Sequence, residues 1–177
     1  AIAAQSQVAT DVAVEQPGTV CLHETSKLGH RDLPDEDTNK LDVLALFSFG
    51  ELVPGRLHPP QQLAHGIVWH RPTGAEAPAW NVDTWRRFLS ERQRDGWQMV
   101  QCEFRHNRFE TDSSGEPQRS HFYVSSHFTN SLRPERAILE GELIVYWTPA
   151  QTPDELPAVK RIDATRLDFK TRLGEPA

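Results

Sequence analysis

The stretch NVDTWRRFLSERQRDGWQMVQCEFRHNRFE, residues 81–110, changes its hydrophobic period partway through. Up to Gly96 the period is helical. Asn81 can cap the first turn, and Trp85, Phe88 and Leu89 fall at i, i+3 and i+4 on one face. Arg86, Arg87, Glu91, Arg92 and Arg94 supply the wet face, and Gly96 ends the helix in the left-handed conformation that glycine adopts without strain. Beyond Gly96 the period drops to two, with Val100, Cys102 and Phe104 on one side. The pattern predicts a helix of about 13 residues running directly into a long strand.

Three more alternating runs follow. In residues 119–129, Phe122, Val124 and Phe128 point one way while His121, Tyr123, Ser125 and His127 point the other. In residues 136–147, Ala137, Leu139, Leu143, Val145 and Trp147 face inward, against Arg136, Glu140 and Glu142. Residues 158–170 carry Val159, Ile162, Leu167 and Phe169, and the change of parity between Val159 and Ile162 predicts a bulge. Turns fall at Asp112–Pro117, Asn130–Pro134 and Thr148–Pro157. Upstream, residues 1–40 read as a weakly structured segment ending in a charged linker, and Leu41–Phe49 suits a helix or a strand equally. Gly66–Arg71 is a short strand, and Thr73–Pro78 a loop.

A helix feeding long sequential strands is an α+β layout. Strands well beyond the usual 5–6 residues must twist and curl strongly. We therefore expect residues 41–177 to form a cone: a strongly curved antiparallel sheet of about four to six strands wrapped round one main helix.

Composition narrows the functional classes. The 177 residues carry a net charge of −6, against a general nucleic-acid surface. No apolar run reaches the ~18 residues of a membrane span. The opening Ala1-Ile2-Ala3-Ala4 lacks the charged and apolar regions of a signal peptide, and suits either the remnant of one or an ordinary terminus. The two cysteines, Cys21 and Cys102, have no CxxC spacing, so a structural zinc site is not expected; they could join only in an oxidising compartment.

Leu46–Trp147 resembles the N-terminal domain of bacterial cartilage-acidic-protein-like proteins, which also carry FG-GAP repeats and an ASPIC/UnbV segment. The resemblance lies in Leu52, Pro54, Leu57 and Pro59; in Gly66, Ile67, Trp69 and Arg71; in the helix with Trp85, Phe88 and Leu89; in Trp97–Phe109; and in Gly141, Leu143, Val145 and Trp147. It implies a cystatin-like, nuclear-transport-factor-two-like cone, an extracytoplasmic (periplasmic or secreted) setting and a following propeller domain. The Asp-x-Asp-Gly-Asp-Gly calcium loop of such propellers is not in this sequence.

Among candidate chemical groups, His121 and His127 share a strand face but lie about 20 Å apart at strand rise, too far to share a metal. Glu140 and Glu142 read as a solvated face beside Arg136. Glu103, His106, Tyr123 and His127 are the candidate lining of a cavity inside the cone, where polar strand residues could bind a small molecule or move protons. Trp69, Trp80, Trp97 and Met99 are candidate interface residues, because aromatic anchors concentrate in interfaces and the start of the first long strand is apolar on both sides. No phosphate loop, nucleophile elbow, cofactor motif or catalytic set is recognised. The expectation is a non-catalytic interaction module that docks a protein partner, a neighbouring domain or another copy of itself; the alternative is a small-molecule-binding or enzymatic cone.

Overall fold

The computed structural model describes residues 41–150, 152 and 155–174, with the backbone of Val20–Cys21. The other residues of the expected weakly structured segment, and the Cys21 side chain with its disulfide question, lie outside the described residues. In chain order the elements are β1 (Val20–Cys21), α1 (Leu41–Ala45), β2 (Glu51–Leu57), β3 (Gln61–Gln62), a 3-10 turn (Ala64–Gly66), β4 (Ile67–His70), β5 (Pro72–Glu76), α2 (Val82–Arg94), β6 (Trp97–Thr111), β7 (Pro117–Asn130), β8 (Glu135–Thr148) and β9 (Ala158–Leu173).

Helix α2 forms for the reasons its sequence suggests. The Asn81 side chain accepts the Thr84 N–H at 2.8 Å, and Gly96 stands at φ 88°. Its one fully buried residue, Leu89, meets Leu41 of α1 and Met99 and Cys102 of β6, with Trp85, Phe88, Phe104 and Phe128 packed around them. Trp80 extends this cluster, its ring 5.1 Å from Phe88 and 6.5 Å from Trp85. Among the described residues, no helix is long and apolar enough to cross a membrane.

The cone does not form. The fold is mainly antiparallel β, with an open, uncurled sheet and, among the described residues, only two short helices, so the α+β, cystatin-like expectation is corrected. Strands β6 to β9 pair antiparallel in sequence order, but β9 does not end the sheet. Its far edge takes β2 in parallel at Arg161–Ala164 and β4 antiparallel at Phe169–Arg172. With β1 on the outer edge of β6, β5 on β2 and β3 on β4, the sheet reaches nine strands. Backbone groups that curling would have had to satisfy are paired by sideways growth instead. The helix lies over one corner of this broad sheet and is not enclosed by it. Residues 73–76, expected to be loop, belong to β5.

Cross-strand register sorts the β6–β9 meander into two faces. The apolar face carries Cys102 and Phe104 of β6, Phe122, Val124 and Phe128 of β7, Ala137, Leu139, Leu143 and Val145 of β8, and Leu167 and Phe169 of β9. A register shift between Met99 and Gln101 places Met99 on the Cys102 side. Met99 is therefore 3% exposed and Val100 48%, the reverse of the expected strand phase. The predicted bulge in β9 is present, where Tyr146 pairs with Arg161 but Trp147 with Val159. Midway along β8, Gly141 stands at φ 139°, and a Cβ there would run into the Arg166 carbonyl oxygen.

Candidate functional site

The opposite, polar face of the meander holds most of the titratable groups. Glu110 of β6 pairs across the hairpin with Arg119 of β7, because the Asp112–Glu116 turn sets that register. The Asp112 carboxylate organises the turn, accepting from Ser114 and from the Glu116 N–H, and these hydrogen bonds lower its pKa. Glu110 also meets Arg108 at 2.8 Å and His121 Nε2 at 3.1 Å. The other ring nitrogen of His121, Nδ1, lies 3.0 Å from Glu142, which also pairs with Arg166.

The same contacts act on the acids. Hydrogen bonding from Arg119, aided by the charges of Arg108 and Arg119, holds Glu110 below the ordinary carboxylate range. His121 and then Arg166 do the same for Glu142. The Arg119 guanidinium is in turn raised by Glu110. The two imidazole nitrogens address different carboxylates, so the three groups do not converge on one point. Among the described residues, no group of three side chains could hold a metal.

The four candidate cavity residues are split by the sheet. Glu103 and Tyr123, with Arg105, Asn107 and Ser125, line a shallow open cleft of about 410 Å³ on the polar face. Glu103 is already engaged by Arg105 at 2.7 Å. His127 lies on the same face, 3.5 Å from the Ser125 hydroxyl, but outside that cleft. His106 is on the apolar face, 4.9 Å from the Phe122 ring and 6.2 Å from Phe109. The sheet therefore separates His106 from the other three.

The four candidate interface residues also separate. Met99 is core, and Trp80 belongs to the aromatic cluster on α2. Trp69 lies at the far side of the sheet, where its indole N–H donates to Asp168 at 2.9 Å and Arg71 and Lys170 approach its ring. Trp97 opens β6 opposite Asn130. The Glu110–His121–Glu142 chain does not show in the sequence pattern, because its members lie on three strands and meet only through cross-strand register. The short DSSGEP turn, which sets Glu110 opposite Arg119, was the available signal. No family model, curated protein or solved structure matches this chain.

Proposed function

We propose that the chain is a non-catalytic interaction module that docks a protein partner on the apolar face of the β6–β9 meander. One observation carries this reading. Phe122, Leu139, Leu143, Leu167 and Phe169 share that face by register, and all are only half-buried, while α1 and α2 pack at the Met99–Cys102 corner. A face of this kind is stabilised when a partner removes it from water, at about 25 cal/mol per Å² of apolar area. On the other face, Glu110, Arg119, His121, Glu142 and Arg166 are engaged with one another, a structural use of charge.

The test is crosslinking mass spectrometry on the assembly recovered with the full chain from its native source. Crosslinks should flank Phe122, Leu143 and Phe169, and Leu143→Asp should release the partner while leaving the circular dichroism spectrum unchanged. Crosslinks confined to the polar face, or a partner retained by Leu143→Asp, would refute the reading. The cleft at Glu103 and Tyr123 supports a second reading, small-molecule binding, for which Tyr123→Ala should abolish ligand-induced chemical-shift changes. An extracytoplasmic setting and a propeller neighbour rest on the sequence resemblance alone, whose cone this fold lacks; a secretion-dependent phosphatase fusion checks the first.

A further inference from the structure

The cleft on the polar face of β6 and β7 is set out by cross-strand register. Glu103 pairs with Ser125 and Arg105 with Tyr123, so four of its five lining side chains stand in two facing rows. The fifth, Asn107, sits where the ladder is interrupted: His106 pairs with Phe122 and Arg108 with His121, and Asn107 is the extra residue between them. Such a bulge gives up regular pairing to re-aim a side chain, and bulges concentrate beside functional sites. Here it gives the polar face two consecutive residues, Asn107 toward the cleft and Arg108 toward Glu110 at 2.8 Å. Tyr123 is 36% exposed although it lies in the middle of a 14-residue strand. Among the described residues, neither its phenol oxygen nor the Asn107 amide has a hydrogen-bond partner, and both face solvent.

We propose that this cleft binds a neutral carbohydrate, an inference that rests on the small-molecule reading of the same cleft. Charge decides the class of ligand. Glu103 and Arg105 bond each other at 2.7 Å, so the lining carries no net charge. An anion drawn to Arg105 meets the Glu103 carboxylate, and a cation drawn to Glu103 meets the Arg105 guanidinium. The net charge of −6 further opposes a polyanion. An apolar ligand would find one ring among four polar side chains, and could not replace the hydrogen bonds of the water it displaced. A sugar meets each of these conditions. The Tyr123 ring supplies a flat apolar surface for the C–H face of a pyranose, with a hydroxyl at its tip. Around it Glu103 accepts, Arg105 donates, and Asn107 and Ser125 do both, which suits hydroxyl groups that also do both. The cleft volume of about 410 Å³ falls within the span of small-molecule sites, about 300–1,000 Å³, and its open sides leave further units of an oligosaccharide in water. The apolar docking face lies on the other side of the sheet, so both surfaces can be occupied together.

The test is titration of the full chain with a library of neutral di- and trisaccharides built from gluco-, galacto- and manno-configured units, followed by the chemical shifts of the Asn107 side-chain amide and the Tyr123 ring. Glucuronic acid, glucosamine and adenosine at the same concentrations are the comparators. At least one neutral saccharide should shift both resonances in a saturable way and bind more tightly than all three comparators. Tyr123→Ala should remove the response at Asn107, whereas Tyr123→Phe, which keeps the ring, should weaken it less than about tenfold. Asn107→Ala, a change at an exposed bulge, should weaken binding read at the Tyr123 ring by about three- to tenfold, and it guards against misfolding of the alanine variant at Tyr123. Tighter binding of a comparator than of any neutral saccharide would overturn the carbohydrate assignment and leave the small-molecule reading standing. Silence from every compound, or an undiminished response in folded Tyr123→Ala and Asn107→Ala, would overturn both.

Discussion

The two ends of the meander's polar face are built from the same residue types and reach different electrostatic states. Toward the Asp112–Glu116 turn, Arg108, Arg119 and Arg166 meet Glu110 and Glu142, with His121 between the two acids. Toward the turn between β7 and β8, Arg136 and Arg172 oppose each other and no carboxylate reaches either among the described residues. Composition does not separate the ends; register does. Cross-strand pairing decides which charges meet, so a neutralised lattice and a repelling pair coexist on one sheet surface.

The largest expected effect comes from breaking the strand that both ends share. Gly141→Ala forces a side chain into a positive φ and against the Arg166 carbonyl. It should cost about 3 kcal/mol or more in urea unfolding and loosen both ends together. A loss under about 1 kcal/mol would mean that β8 can shift there at little cost. Next, Glu142→Gln removes the negative charge shared by His121 and Arg166 and replaces one acceptor oxygen with an NH2 donor; it should cost ~1–2 kcal/mol, the lower part of the range because the site is partly exposed.

The lattice also has a pH signature of definite sign. Glu110 and Glu142 are both held below their ordinary value of 4.5 in the folded chain. Their contribution is therefore complete above that value and is lost as pH falls through the lowered folded values. The urea midpoint should decline below about pH 4.5, and less steeply in Glu142→Gln. The smallest effect contrasts the two ends directly. In chloride buffer Arg166→Met should destabilise by about 0.5–1 kcal/mol, while Arg136→Met should leave stability unchanged or raise it by a similar amount. Equal losses at both ends would erase the distinction between them.

Much of the local structure was legible in the chain. The Asn81 cap, the Gly96 stop, the four long alternating runs and the β9 bulge follow from nearest-neighbour chemistry, and each is present. Two things were not legible. A bulge between Met99 and Gln101 inverts the phase of one strand start, because one extra residue reverses a period of two without changing its composition. The architecture failed on a longer scale: pairing of β2 and β4 with β9 leaves no trace in periodicity, so a sheet that widens resembles one that closes. The same gap hid which side chains are neighbours. Glu103 and His106 sit three residues apart in the chain and on opposite faces of the sheet, while Arg136 and Arg172 are distant in sequence and adjacent in space.

The parallel seam between β2 and β9 sets an order of events in the cell. Arg161 on β9 reaches Glu51 on β2 across 110 residues of sequence. A ribosome adding roughly 5–20 residues per second emits β2 some 5–20 seconds before the strand it must lie against. During that wait the early strand can pair with β5 on one edge while its β9 edge stays open, and non-local pairing of this kind is slow to assemble. Newly made chains should therefore depend on chaperones for longer than the simple β6–β9 meander would suggest, and slowing translation within β9 should raise the fraction that misfolds.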